Sequence, residues 1–265
     1  MKHNPTTEFF FQLVALLVAV IVVHVLYVTL VWPGAQSVLD ARAAAQALGD
    51  AFEMDRSFLV VIKDYEQEAC FVLMLWASAI IAWKAHFVLN ERRHLAQDLL
   101  ATEEGTRILP EDTRAYARRL QALPAAEREY LLPRTLLAAL QRFGATASIP
   151  DVAHAVRETC EVEAEHLDAE LSMIRYIVWA IPSIGFIGTV RGIGQALGQA
   201  HRAVEGDIVG VTASLGVAFN STFIALVISL FIMFLMHQLQ LLQDRLVFDA
   251  QSYCDLRLVR HLAVR

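Results

Sequence analysis

The sequence predicts an all-α, polytopic membrane protein with four transmembrane helices and a helical cytoplasmic domain. Three observations predict it. The 265 residues are 56% hydrophobic with a mean hydropathy of +0.46, too apolar for a water-soluble domain of this size. Four apolar stretches, approximately 9–32, 69–89, 173–200 and 208–242, are each long enough to cross a hydrocarbon core of about 30 Å, which takes roughly 20 helical residues. Between the second and third, residues 91–172 are charged and carry prolines where helices could begin, the pattern of a folded helical segment outside the bilayer.

Composition also excludes several classes of function. The net charge of -6, from 28 acidic and 22 basic residues, offers no basic field, so no nucleic-acid partner is expected. Cys70, Cys160 and Cys254 lie far apart without CxxC or Cys/His spacing, which indicates neither a metal site nor a disulfide framework. No nucleophile and base pair, phosphate loop or metal set occurs at usable spacing, so no catalytic residue, enzyme activity or cofactor is expected.

Residues 1–90 hold the first two spans and an external connecting segment. FFFQLVALLVAVIVVHVLYVTLVW has an apolar run too long for a signal peptide, and WPGAQS after it is a weak cleavage site, so it reads as a retained helix. His24, at mid-span, reads as a neutral histidine bonded to a neighbouring helix, with an ion-pathway role as the alternative. Lys84, Arg92, Arg93 and His94 cluster after the second span, and Arg245, Arg257, Arg260 and Arg265 follow the fourth. Basic flanks mark the cytoplasmic side, so the 91–172 domain, the 243–265 tail and, across four spans, the N-terminus are all expected there.

Within 91–172, Pro110, Pro124, Pro133 and Pro150 each stand where a helix could begin, and Gly144 is placed to close the helix that starts near Pro133. From Pro150 no breaker occurs until Pro182, which predicts one long helix running from the domain into the third span. Glu161, Glu165 and Asp168 share a helical face, and Arg114, Arg118 and Arg119 lie on another helix. These charges read either as solvated faces or copy-to-copy contacts, or as a docking surface for a cytoplasmic partner.

The third and fourth spans, 173–242, carry the unusual chemistry. In IPSIGFIGTVRGIG, Pro182, Gly185, Thr189 and Gly192 recur at steps of 3, 4 and 3 on one helix face, with Gly188 beside it. Such a face allows close backbone approach, and Pro182 loosens the helix by removing a backbone donor. In the fourth span Ser214, Ala218, Ser221, Ala225 and Ser229 form a second small stripe, flanked by Asn220 and Thr222. Together the two faces could line a narrow, weakly polar path, with Thr189, Ser221, Thr222 and Asn220 as its polar groups. The alternative is packing alone, since a hydroxyl can bond its own helix carbonyl. Arg191 lies 9 residues, about 13 Å at 1.5 Å per residue, beyond Pro182, toward the external surface. It reads as a snorkelling side chain, a pathway charge, or a partner for Glu205 or Asp207. No Asp or Glu falls inside the four stretches, so either a partner supplies a carboxylate or the chain is no proton pathway.

PxxGxxGTVxG, at Pro182, Gly185, Gly188, Thr189, Val190 and Gly192, resembles the MotA/TolQ/ExbB proton-channel family, and AFNSTFIALVIS at 218–229 resembles that family's final pore helix. The resemblance covers about 150–242. Four spans are more like the flagellar stator branch, and the GTV signature is closer to the TolQ and ExbB branch. The resemblance implies a bacterial inner-membrane homopentamer, seated in membrane lipid around a dimer of a single-span MotB/TolR/ExbD-like partner. That partner would carry the membrane aspartate missing here. It implies an ion-driven stator or rotary motor, with the proton as the expected ion, that couples the transmembrane ion gradient to mechanical work, with Thr189 and Ser221 or Thr222 near the ion path. The chain departs from the family in having Gly216 and Asn220 where some members are acidic, Arg191 where an apolar residue is usual, and a tail of only about 20 residues. A non-conducting membrane scaffold and a secondary transporter are the other readings; the first two spans lack the repeat of the broken-helix pattern that a transporter would show.

Overall fold

The structure is a computed structural model that describes residues 5–47, 57–95, 99–100, 106–206 and 208–264. It is all-α: among the described residues there is no strand, only an isolated bridge between Ile108 and Leu262. Among the described residues, four helical stretches are long and apolar enough to cross a membrane, Thr6–Ala41, Tyr65–Arg93, Ile149–Gly198 and Val209–His261. Two compact units share the chain: one comprises Phe9–Ile81 and Met173–Met236, the other Met1–Glu8, Ala82–Ser172 and His237–Arg265.

In the first unit, α1 (Pro5–Leu26) does not stop near Trp32 as the hydropathy pattern predicts. It continues through a π-helical turn, Tyr27–Val31, into α2 (Trp32–Ala47). Pro33 has no N–H and its ring crowds the carbonyl four residues back. The wider turn, in which the Trp32 N–H reaches Tyr27 O, precedes that proline and carries the helix past it. A short helix α3 (Phe58–Val61) leads into α4 (Tyr65–Leu95). Between α3 and α4 three consecutive carbonyls are held by side chains. Gln67 Nε2 donates to Val61 O (3.2 Å), Tyr27 Oη to Ile62 O (2.8 Å) and Trp32 Nε1 to Lys63 O (3.0 Å). Non-helical backbone between apolar helices needs such partners.

The expected continuous helix from Pro150 is two helices, α8 (Ile149–Ala169) and α9 (Ser172–Gly198). At the join the Leu171 N–H turns to Asp168 O, a tightened turn that no proline or glycine announces. Pro182 sits inside α9 without breaking it. The carbonyl it frees, four residues back, is that of Val178, and Ser229 Oγ donates to this oxygen at 3.1 Å. Ser229 belongs to α11 (Val209–Arg257), 49 residues without interruption. Ser229→Ala would leave the Val178 carbonyl buried and unpaired, with an expected loss of about 1–3 kcal/mol. The apparent melting temperature of the detergent-solubilised protein reads it, and an unchanged midpoint would show that the carbonyl finds another donor. A short α10 (Ala200–Val204) precedes α11.

The second unit packs α5 (Thr113–Gln121), α6 (Ala125–Arg128), α7 (Leu131–Thr146), α8 and the last turns of α11 around Leu136, Leu140, Phe143, Val152, Cys254 and Leu258. Pro124 caps α6, and Pro150 lies at the start of α8, where Ser148 Oγ accepts the Asp151 N–H. Pro110 precedes the turn into α5, and Pro133 is the third residue of α7. Gly144 does not close α7. It lies inside the helix, where an added Cβ would come 2.8 Å from Thr113 Oγ1, and Ala147 at φ 49° ends the helix instead. Glu91 Oε1 accepts the Leu131 N–H at 2.5 Å, placing a carboxylate on the N-terminus of α7. Among the described residues the most buried charge in this unit is Lys84, whose Nζ donates to Glu8 Oε1 (2.6 Å) and Glu170 Oε2 (2.8 Å) with 2% of its side chain exposed. The segment expected as a tail over 243–265 is helical to Arg257, then forms a short 3₁₀ turn at Val259–His261. Glu161, Glu165, Asp168, Arg114, Arg118 and Arg119 are all exposed.

Candidate functional site

The small faces of α9 and α11 meet at backbone distance. An added Cβ at Gly185 would lie 2.6 Å from Ala225 Cβ and 3.3 Å from Ser221 O. One at Gly188 would lie 2.5 Å from Ser221 Cβ, and one at Gly192 2.7 Å from Ala218 N and 2.8 Å from Ser214 O. Ser214, Ala218, Ser221, Ala225 and Ser229 are all buried. Side chains on either face would hold the helices apart, so the absence of bulk sets the contact.

This approach brings hydroxyls together. Thr189 Oγ1 is in hydrogen-bond contact with Thr222 Oγ1 and lies 3.2 Å from both Gly185 O and Ala218 O; Thr222 Oγ1 lies 3.2 Å from Gly185 O. Each hydroxyl has one proton to donate and can accept others. The two threonines therefore have more acceptors than protons, and donor directions can be exchanged by rotating hydroxyl hydrogens without moving heavy atoms. Ser221 Oγ donates to Val217 O (2.8 Å) and receives Gln67 Nε2 (3.4 Å). Asn220 is half-buried and takes no part in the bonds around the threonine pair. Pro182 is half-buried, one helical turn from Phe186 on the exposed side and Gly185 on the buried one.

Arg191 has a partner that sequence reasoning placed elsewhere. Its Nη2 donates to Glu66 Oε2 at 2.7 Å and its Nε lies 2.7 Å from Glu66 Oε1, with Asp64 Oδ1 at 3.9 Å. Glu205 is not its partner, and Asp207 lies outside the described residues. The apolar stretch 69–89 itself holds no acidic residue, but the helix that contains it begins earlier. α4 starts at Tyr65, four residues before the apolar stretch, so Glu66 and Glu68 occupy its first turn. Glu68 Oε1 meets His24 Nδ1 at 2.8 Å, so the mid-span histidine is bonded to a neighbouring helix, through a carboxylate. Glu66, Gln67 and Glu68 escaped notice because a hydropathy threshold trims charged first turns. The signal that could have found them is their position in the first turn of a helix, where carboxylates are favoured.

Other features carry less. Cys70, Cys160 and Cys254 are free and buried, and among the described residues no group of His, Cys, Asp and Glu is placed to hold a metal ion. In the second unit a cavity of about 610 Å³ is lined by Lys84, Glu91, Tyr130, Arg134, Glu163 and Glu170 among others. Burial, and then the charges of Glu91 and Glu127, push the Tyr130 phenol up.

The architecture defines a multi-pass, all-α membrane protein with a hydroxyl-bearing seam between two glycine-contacting helices. Residues 127–252, just under half the chain, match the sequence profile of the MotA/TolQ/ExbB proton channel family. That match contains every residue of the seam and extends the resemblance read from 150–242 back through α8 and α7. It supports a proton-channel, stator-type class of function, with no sign of a catalytic class. No curated protein and no solved structure matches the chain.

Proposed function

We propose that this chain is the ring-forming subunit of a proton-driven stator in a bacterial inner membrane. Five copies surround a dimer of a single-span partner whose membrane aspartate carries the proton, and both termini and residues 91–172 lie in the cytoplasm. The observation that carries this reading is the Thr189–Thr222 hydroxyl pair, seated between glycine-contacting helices inside the family match. Its reorientable protons give a partner's carboxylate a hydroxyl surface with which to exchange hydrogen bonds as it gains and loses charge. Exposed Tyr176, Trp179, Val190, Phe219, Phe223 and Leu230 on α9 and α11 supply apolar surface for lipid, neighbouring copies and the partner. Each proton moved across 100 mV releases about 2.3 kcal/mol, and repeated steps add. The basic residues flanking the second and fourth spans support the orientation.

A non-conducting scaffold is the second reading, favoured by one observation: Thr189, Ser221 and Thr222 all lie within hydrogen-bond reach of helix carbonyls, as residues used only for packing do. One variant separates the two. Thr189→Val keeps the side-chain shape and removes the hydroxyl. The complex is captured from its native membrane through a tag on this chain, and its native mass is expected to equal five copies of 29.6 kDa plus two partner chains, in wild type and variant alike. In reconstituted vesicles the variant's proton flux is expected to fall tenfold or more. Unchanged flux removes Thr189 from the path, and a monomer or dimer in gentle detergent sinks the ring.

A further inference from the structure

Arg191 is the charge nearest the hydroxyl seam on α9. It lies three residues, one turn on the same face, beyond Gly188, and two residues beyond Thr189. A bare guanidinium at that position would oppose the approach of any cation, as arginines do in pores that exclude protons and cations, and low-dielectric surroundings would strengthen the effect. It is not bare. Glu66 meets it with two contacts of 2.7 Å, and the Glu66 side chain is 11% exposed. Asp64, the next carboxylate at 3.9 Å, is itself shared with Lys63 at 3.3 Å, so Glu66 is the principal counter-charge. Glu66 is also fixed in place relative to the seam. A Cβ at Gly188 would find Glu66 Cγ at 3.3 Å and Ser221 Oγ at 2.6 Å, so the two side chains flank the same glycine. The adjacent Gln67 is fully buried and tied to Ser221 Oγ. Glu66 comes from a helix outside the matched segment, 127–252.

We propose that Glu66 is a positioning residue for ion passage: by pairing with Arg191 it neutralises the guanidinium beside the Thr189–Ser221 seam and keeps the path open to cations. The inference rests on the proton-conducting reading above. Glu66 does not itself carry the proton here; its negative charge matters because Arg191 is positive. The pair is therefore dispensable as a pair, while loss of Glu66 alone is not tolerated.

The test compares wild type, Glu66→Gln, Arg191→Gln and the double variant. Each is captured as the complex from its native membrane, checked for native mass, and reconstituted in phosphatidylethanolamine and phosphatidylglycerol vesicles with an entrapped pH dye and an imposed potential. Glu66→Gln is expected to lose at least tenfold in proton flux with its mass unchanged, Arg191→Gln to exceed wild type, and the double variant to return to within about twofold of wild type. A purely structural role would not be rescued by removing the partner charge. Unchanged flux in Glu66→Gln, or a double variant as slow as Glu66→Gln, overturns the inference. If Glu66→Gln fails to assemble, Arg191→Gln decides alone: flux above wild type supports the inference, and flux at or below it overturns it. Wild-type vesicles that conduct nothing overturn the conducting reading and this inference with it, an outcome distinct from conduction that ignores Glu66.

Discussion

Replacing Lys84 with Met is expected to cost about 3–5 kcal/mol, among the largest effects of any single substitution in this chain. The ammonium is 2% exposed and holds two carboxylates, Glu8 and Glu170, that come from segments 76 and 86 residues away. Removing it takes away the ammonium that these two mostly buried carboxylates share, although Glu170 keeps its contact with His166 Nδ1 at 3.5 Å. A drop in the melting temperature of the detergent-solubilised protein measures the loss. Neutralising the carboxylates as well, with Glu8→Gln and Glu170→Gln, is expected to recover most of it, because apolar or neutral replacement of a whole buried ion cluster is often close to neutral. A Lys84→Met protein within about 1 kcal/mol of wild type would show that water reaches the site and screens it.

Gly192→Ala is the second large effect, expected to cost about 1–3 kcal/mol and to part α9 from α11. The added Cβ would meet Ala218 N at 2.7 Å, Ala218 Cβ at 2.8 Å and Ser214 O at 2.8 Å. Two of these atoms are backbone, so no flexible side chain can swing aside, and the helices themselves must move. Thr189 lies three residues before Gly192 on the same face, so flux is expected to fall together with stability. Gly194→Ala on the same helix is the control, since, apart from its own helix backbone and chain neighbours, no atom of the described residues lies within 4 Å of its added Cβ. Equal stability in the two variants would refute a packing role for the glycine face.

The meeting of these faces was legible in the sequence because it obeys a period. Small residues at steps of 3 and 4 on two apolar helices leave few arrangements other than mutual contact, and the Pro182 defect announced a need for an outside donor, filled by Ser229. The polar network behind the faces was not legible. Glu66 and Arg191 are 125 residues apart, and a pair at that separation has no periodic signature. The helix that continues past Pro33 was hidden for a different reason. Proline usually marks a boundary, and the π turn that accommodates it depends on neighbours that only the folded unit supplies. The break at Glu170–Leu171 was hidden because the residues there are all competent helix formers, so packing rather than propensity decides it.

The three carbonyls of Val61, Ile62 and Lys63 bear on how this sequence can drift. Their donors are one amide, one phenol and one indole, each held by a single polar atom: Gln67 Nε2, Tyr27 Oη and Trp32 Nε1. Phenylalanine at Tyr27 or Trp32 would look neutral to any comparison that scores hydrophobicity, yet it would strand a carbonyl among apolar helices. Neutral variation at these two aromatic positions is thus confined to residues that still offer a proton. A relative that has lost one of them is expected to have changed the 61–63 connection as well, so the aromatic residues and that short segment should vary together.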